Sequence, residues 1–209
     1  MAIDFSSIGA TPAPTEVAPA PAGVSVNLAK NTVLNLTKSN PSLRRVKLAA
    51  GWDIAQVGSD VDLDISVFLL DNNKIKSVQD VVYYNNLQGP GVKLDGDNRT
   101  GDGDGDDESL HIDFSQIPSN YNKIITTVTI YDAQNRRQTF GQVNNSYVRL
   151  VDEDTNNEIC RFDLKNDVST AYGVMFAELL KDDQDGTWSF HTIGDGYQSD
   201  LNGLLALFS

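Results

Sequence analysis

Residues 62–70 read Asp-Leu-Asp-Ile-Ser-Val-Phe-Leu-Leu, and this stretch decides the fold class. Every second residue from Leu63 to Leu69 is apolar, which is the period of a strand with one face in a core. Similar short runs, rich in β-branched and aromatic residues, recur between turn residues. This pattern predicts an all-β fold, an antiparallel β-sandwich with few short helices. The other runs lie at residues 24–28, 43–48, 110–114, 124–130, 147–151 and 158–162.

Helix signals are confined to the C-terminal part of the sequence. Residues 169–180 are compatible with a strand or a helix, and both alternatives remain open. Residues 200–208 predict a closing helix with Asp200 as its N-cap. The segment 152–157 resembles a calcium loop superficially, but its place between two strand-like runs predicts a hairpin turn.

Composition excludes several classes of protein. The chain has 209 residues, a formal net charge of −13, one cysteine and two histidines. One thiol excludes an internal disulfide framework, and two isolated histidines disfavour a His-rich zinc or iron site. The acidity disfavours nucleic acid as a partner, since phosphate contacts need cations. No apolar run reaches the roughly 18 residues of a membrane helix, so no membrane insertion is expected.

The N-terminal segment differs in composition from the rest. Residues 1–23 form an Ala/Pro-rich arm, which leaves residues 24–209 as the domain. Proline excludes a helix or a central strand here, so the arm is either an extended linker or an anchor docked on a protein partner. We expect partner binding or self-assembly through residues 1–23. The N-terminus lacks the basic and apolar regions of a signal peptide, which predicts a cytoplasmic protein.

Most of the negative charge lies in two short stretches. Residues 95–108 read DGDNRTGDGDGDDE, with seven acids and one base over fourteen residues. Together with Asp60, Asp62 and Asp64, this loop accounts for −9 of the −13. Glycines between short acidic side chains allow a compact cage of carboxylate and carbonyl oxygens, which suits Ca²⁺ better than the octahedral Mg²⁺. The alternative is a solvated acidic surface loop.

Known motifs do not fit this loop or the aspartate pair before it. An EF-hand starting at Asp102 requires glycine where Asp107 stands, and helices are not predicted on either side. Asp62 and Asp64 precede their apolar strand, whereas a phosphatase pair follows one, so they are better placed to share a cation site on one strand face. No nucleophile and base are arranged for catalysis, and Cys160 is expected to be a buried, inert thiol.

The order and spacing of several segments resemble the TerD family of tellurium-resistance and stress proteins. The resemblance covers roughly residues 24–208, and the glycine–aspartate loop together with the Gly51-Trp52-Asp53 and Asp62-Leu-Asp64 segments is a specific signature. It implies a β-sandwich that binds Ca²⁺ through its acidic loops and has no known enzymatic activity. Other matching segments are 82–86, 130–131, 137–141, 158–164 and 188–190.

The leading hypothesis is therefore a non-enzymatic, Ca²⁺-binding protein of the TerD type. The alternative is a phage virion or assembly protein, located in the virion, in which a calcium-stabilised domain is the building block and the arm docks it. A metal-dependent hydrolase is the weakest hypothesis, since the sequence shows no positioned general base. The predicted metal ligands are Asp62, Asp64, Asp97, Asn98, Asp102, Asp104, Asp106, Asp107 and Glu108.

Overall fold

The computed structural model describes residues 15–17, 26–27, 29–53, 61–96 and 105–209. Within these ranges the chain forms two seven-stranded sheets, named sheet A and sheet B. Sheet A has the order β1-β3-β14-β13-β10-β5-β6, with β1 Thr15–Val17, β3 Thr32–Asn35, β14 Trp188–Tyr197, β13 Gly173–Lys181, β10 Lys123–Ile130, β5 Leu63–Leu70 and β6 Val81–Val82. Sheet B has the order β2-β12-β11-β4-β9-β8-β7, with β2 Val26–Asn27, β12 Asn157–Asp163, β11 Asn144–Asp152, β4 Arg45–Asp53, β9 Glu108–Asp113, β8 Val92–Leu94 and β7 Gln88–Gly89.

The helices of the described chain are short and lie at the margins of the sheets. They are α1 Leu36–Ser39, α2 Ala133–Arg136, α3 Leu164–Asp167 and α4 Leu201–Leu205, with 3-10 turns at Val78–Asp80, Phe140–Gln142 and Ala206–Phe208. None of the helices in the described ranges has the length and apolar character needed to cross a membrane. The predicted all-β sandwich with few short helices is confirmed.

Strand β5 is buried on both of its faces. Its odd-numbered residues from Leu63 to Leu69 pack in the core between the sheets, as their period predicts. On the opposite face, Phe68 and Leu70 pack in a second apolar cluster with Leu204 of α4. A strand covered on both sides needs apolar residues at consecutive positions, which explains the run from Val67 to Leu70.

The structure decides one open alternative and agrees with three local predictions. Residues 173–181 form the strand β13, so the strand alternative for this segment is the correct one. Asp200 caps α4, since its side chain accepts a hydrogen bond of 3.0 Å from Gly203 N. The segment after Asp152 is the hairpin between β11 and β12. Cys160 is buried at 2% exposure as predicted, and burial raises the pKa of its thiol, which disfavours the reactive thiolate.

Three strand ends meet at one end of the sandwich. Strand β4 ends at Asp53, β5 begins at Leu63 and β9 begins at Glu108. Antiparallel pairing of Ala50 with Glu108 places the last residues of β4 beside the first residue of β9. We call this region the acidic end, defined by Asp62, Asp64, Asp107 and Glu108.

Candidate metal centre at the acidic end

Glu108 links the two sheets at the acidic end. It is the first residue of β9 in sheet B, and its side chain is buried at 2% exposure. Its Oε2 accepts a hydrogen bond of 2.7 Å from the backbone N–H of Ile65 in sheet A. The pairing between β5 and β6 involves only Val67 and Phe68, so Glu108 reaches the part of the β5 edge that lies beyond β6. The carboxylate is therefore fixed one residue from Asp64.

Trp52 ties the end of β4 to both acidic segments. Its backbone N–H donates to Asp107 Oδ2 at 2.9 Å, and its indole Nε1 donates to the carbonyl of Val61 at 3.0 Å. The backbone of Asp107 is held as well, since its N–H donates to Ala50 O at 2.8 Å. The tryptophan itself is buried at 3% exposure. It therefore holds the residue before Asp62 and the residue before Glu108 in one junction.

Asp62 and Asp64 lie at the start of β5, as the sequence predicts. They are buried at 5% and 3% exposure, and the Asp62 carbonyl accepts a hydrogen bond of 2.9 Å from Tyr131 N. Asp64 pairs in register with Thr129 of β10. The charge of Asp64 also helps to raise the pKa of Tyr84, after the larger effect of burial. Burial of several carboxylates within one region is costly unless charge or hydrogen bonds compensate it.

Asp106 is held differently from its neighbours. It receives a two-point contact from Arg149, with Nε to Oδ1 at 2.7 Å and Nη2 to Oδ2 at 2.9 Å. Lys47 Nζ donates to Oδ2 at 2.9 Å. Burial would raise the pKa of Asp106, but these two cations outweigh it and hold the pKa below its ordinary value. Both cations lie on strands of sheet B, so Asp106 is anchored to that sheet by charge.

The residue before Asp106 is held by a further contact with sheet B. Tyr147 donates its hydroxyl hydrogen to the Gly105 carbonyl at 2.8 Å. The hydrogen bond between Tyr147 and Gly105 lies close to β4. A Cβ built on Gly51 would lie 2.4 Å from the Tyr147 hydroxyl and 2.5 Å from the Gly105 carbonyl. Gly51 is therefore required by the close approach of the loop to the strand.

The structure brings five of the nine predicted ligands to this region. Asp62, Asp64, Asp107 and Glu108 form the acidic end, and Asp106 lies beside it in its ion pairs. Among the described residues, His, Cys, Asp and Glu side chains form no group of three or more that could hold a metal ion. The remaining predicted ligands, which are Asp97, Asn98, Asp102 and Asp104, lie outside the described residues.

The cationic clamp on Asp106 was not predicted from the sequence. A signal for it exists, since Tyr147 and Arg149 alternate on β11 and therefore share one strand face. The register between β11, β4 and β9 determines which acidic residue Tyr147 and Arg149 contact. That register is set by long-range pairing.

A serine, a histidine and a glutamate also meet on sheet A. His191 Nε2 lies 2.9 Å from Ser189 Oγ, and burial lowers the pKa of His191. Glu178 Oε1 is 3.9 Å from His191 Nδ1, which is too far for a hydrogen bond, and its Oε2 pairs with Lys123 Nζ at 3.0 Å. The carboxylate is thus oriented toward the lysine, and this geometry is not that of a catalytic triad.

Comparison with known proteins places this architecture in a family. Residues 24–208 match the TerD domain. The chain belongs to the TerD family. It is 44% identical over 189 residues to the tellurium resistance protein TerD of Serratia marcescens, which covers 88% of this chain and 97% of that protein. General stress protein 16U of Bacillus subtilis is 44% identical over 183 residues, with coverage of 85% and 94%.

Two solved structures support the fold. A Streptomyces coelicolor homologue of the telluride resistance protein matches with a TM-score of 0.67 at 24% identity, over 78% of this chain and 96% of its own. A solved protein of unknown function, SAV2460, matches with a TM-score of 0.68 at 27% identity, over 78% and 95%. The relatives from Serratia marcescens and Bacillus subtilis are named a tellurium-resistance protein and a stress protein, so the virion alternative receives no support from them.

Proposed function

We propose that this TerD-family protein is a non-enzymatic, Ca²⁺-binding protein of the bacterial cytoplasm that acts in tellurium resistance or a related stress response. The observation that supports the calcium proposal is the burial of acidic side chains at the starts of β5 and β9, beside the end of β4. Asp62, Asp64 and Glu108 are exposed by 5% or less. The stress role rests on the names of the relatives and on family membership.

The donor set at the acidic end fits a hard cation. The four side chains that define it offer carboxylate oxygens, and Ca²⁺ takes six to eight oxygen ligands in flexible geometry. We propose that Asp62, Asp64, Asp107 and Glu108 supply part of the shell and that Asp97, Asn98, Asp102 and Asp104 complete it. A bound divalent cation would neutralise the carboxylates that coordinate it.

Asp106 has a separate role in this proposal. Its two oxygens already accept hydrogen bonds from Arg149 and Lys47, and a cation bound to them would lie close to two positive charges. Repulsion between like charges disfavours that arrangement. We propose that Asp106 anchors the loop to sheet B, so that Asp107 and Glu108 are held in position to bind the metal.

Calcium-dependent stability tests the proposal. Binding to the folded state alone stabilises it by about 2.7 kcal/mol when the free ligand is a hundredfold above its Kd. For a chain of this size, that corresponds to a rise in melting temperature of about 5–10 °C. The measurement is a thermal melt with Ca²⁺ and with a chelator. Glu108→Gln should lose most of the rise, whereas the matched change Glu153→Gln, on the hairpin at the opposite end, should keep it.

Terbium luminescence locates the bound ion independently of stability. Tb³⁺ replaces Ca²⁺ at oxygen sites and is sensitised by a nearby indole. The Trp52 backbone N–H donates to Asp107, and its indole donates to the carbonyl of Val61, the residue before Asp62. Trp52→Phe should abolish the sensitised emission. Trp188→Phe should preserve it, because Trp188 lies at the opposite end of the sandwich, where it pairs with Lys181. An unchanged melting temperature together with no sensitised emission in the wild-type protein refutes the calcium proposal.

A further inference from the structure

Three residues of the Ala/Pro-rich segment form a strand of sheet A. Strand β1 pairs in parallel with β3, and the register places Thr15 beside Thr32, Glu16 beside Val33 and Val17 beside Leu34. Thr15 N donates to Asn31 O at 2.9 Å. Asn35 Nδ2 also donates to the side chain of Glu16. The segment thus contacts its own domain through both backbone and side chains.

The outermost strands of the two sheets are all short in the part of the chain that the structure describes. Strand β1 has three residues, and β2, β6 and β7 have two each. Short edge strands limit the pairing of a sheet with another chain. Without β1, sheet A would end at β3, a four-residue strand of sequence Thr-Val-Leu-Asn. That sequence is uncharged and rich in β-branched residues, which makes it a favourable edge for strand addition.

Strand β1 presents a poorer edge than β3. Pro14 precedes it and Pro19 follows shortly after, and proline has no N–H with which to extend a ladder. Its central residue, Glu16, is charged and exposed. Charge and proline are both features that discourage pairing at a sheet edge. Strand β1 also lies outside residues 24–208, the range that matches the TerD domain. It is therefore an addition to the family domain that replaces a pairing-competent edge with a blocked one.

We propose that β1 is an edge-blocking strand: Thr15–Val17 occupies the open edge of β3 within the same chain and prevents a second copy from adding there. The occupant that it excludes is the β3 edge of another molecule, because two such edges can pair antiparallel about a twofold axis. The N-terminal segment then suppresses self-association, which is the reverse of the assembly role expected from the sequence. This inference is independent of calcium binding.

The test compares full-length variants in which the edge is opened or locked. Thr15→Pro removes the N–H that donates to Asn31 O and opens the edge. Ala20→Pro adds a proline outside β1 and is the matched control. For the locked form, Glu16→Cys with Val33→Cys places two thiols at paired positions of the ladder. Cys160 is buried, so it should not compete for the new disulfide.

Sedimentation velocity over a concentration series supplies the result. We expect the weight-average mass of Thr15→Pro to rise with concentration toward about twice that of the wild type. Ala20→Pro and the oxidised double-cysteine variant should sediment like the wild type, with the disulfide found within one chain by mass spectrometry. The proposal is overturned if Thr15→Pro, folded by circular dichroism, sediments like the wild type. A disulfide that forms only between chains would also overturn it.

Discussion

Replacement of Arg149 by methionine tests the role of the clamp on Asp106. The substitution keeps an unbranched apolar side chain of similar length and removes the guanidinium. It breaks two hydrogen bonds to Asp106, of 2.7 and 2.9 Å, and one to Glu158 of 3.0 Å. Lys47 remains within 2.9 Å of Asp106, so the carboxylate keeps one cationic partner. The substitution should therefore remove a substantial part, but not all, of the stability that the contacts of Asp106 contribute.

The magnitude follows from how far the pair is shielded from water. The side chains of Arg149 and Asp106 are exposed by 28% and 10%. Exposed ion pairs contribute about 0–1 kcal/mol, whereas breaking a fully buried one costs about 3–5 kcal/mol. A two-point contact of intermediate burial should lie between these limits, at about 2 kcal/mol. That loss lowers the melting temperature by roughly 4–8 °C in a domain of this size.

The assay is a double-mutant cycle in urea, measured in the presence of a chelator so that metal does not contribute. Arg149→Met, Asp106→Asn and the double variant isolate the energy of this contact from that of Arg149 with Glu158. Arg161→Met controls for the loss of an arginine beside Glu158. Arg161 lies 3.8 Å from Glu158, and its guanidinium stacks on the Tyr147 ring at 3.4 Å. A coupling energy below about 0.5 kcal/mol would show that the clamp does not stabilise the loop.

The same variants separate an anchoring role for Asp106 from a ligand role. If Asp106 anchors the loop, Arg149→Met and Asp106→Asn should weaken Tb³⁺ binding by similar factors, and the double variant should bind little worse than either. If Asp106 binds the metal, Asp106→Asn should weaken binding far more than Arg149→Met. The second outcome would refute the separate role that we propose for Asp106.

Two further predictions concern single residues away from the clamp. Burial would raise the pKa of Asp80, but hydrogen bonds from Tyr121, Lys76 N and Ser77 N outweigh it and hold the pKa below its ordinary value. A carboxylate whose pKa is lowered by folding stabilises the protein above its unfolded-state pKa, and this stability is lost as the pH falls through the folded-state pKa. Asp80→Asn should therefore lower the free energy of unfolding in urea by about 2 kcal/mol at neutral pH. The loss should become progressively smaller below about pH 4. Gly51→Ala should destabilise the protein by about 1–3 kcal/mol in the same assay, because the new Cβ would overlap Tyr147 and the Gly105 carbonyl. If the loss of stability in Asp80→Asn does not change with pH, the role of the Asp80 charge is refuted. If Gly51→Ala is as stable as the wild type, the close approach at Gly51 is refuted.

The strands could be predicted because their signal is local. Alternation from Leu63 to Leu69 reflects one buried face, and the core between the sheets contains those side chains. The sequence also predicted the strand start at Asp62 and Asp64 and the cap at Asp200. Each of these features depends on residues within a few positions of one another.

The contacts that distinguish Asp106 from Glu108 could not be predicted in the same way. A period of two would place both side chains on one face of a strand. The strand begins only at Glu108, however, and Asp107 is pinned to β4 through Ala50 O and Trp52 N. Asp106 therefore meets Arg149, more than forty positions away, while Glu108 reaches Ile65. Such pairings depend on the register between distant strands, which the spacing of acids within one loop does not encode.

The difference between these two acids bears on where a cation would bind. The negative charge of Asp106 is offset by the positive charges of Arg149 and Lys47 on sheet B. Glu108 and Asp107 accept hydrogen bonds from backbone N–H groups, which orient a carboxylate without adding net positive charge. A carboxylate whose charge is already offset by two cations attracts a further cation less strongly. The fold thus gives neighbouring acids different contacts: Asp106 is tied to sheet B by charge, whereas Asp107 and Glu108 accept hydrogen bonds from the backbones of β4 and β5.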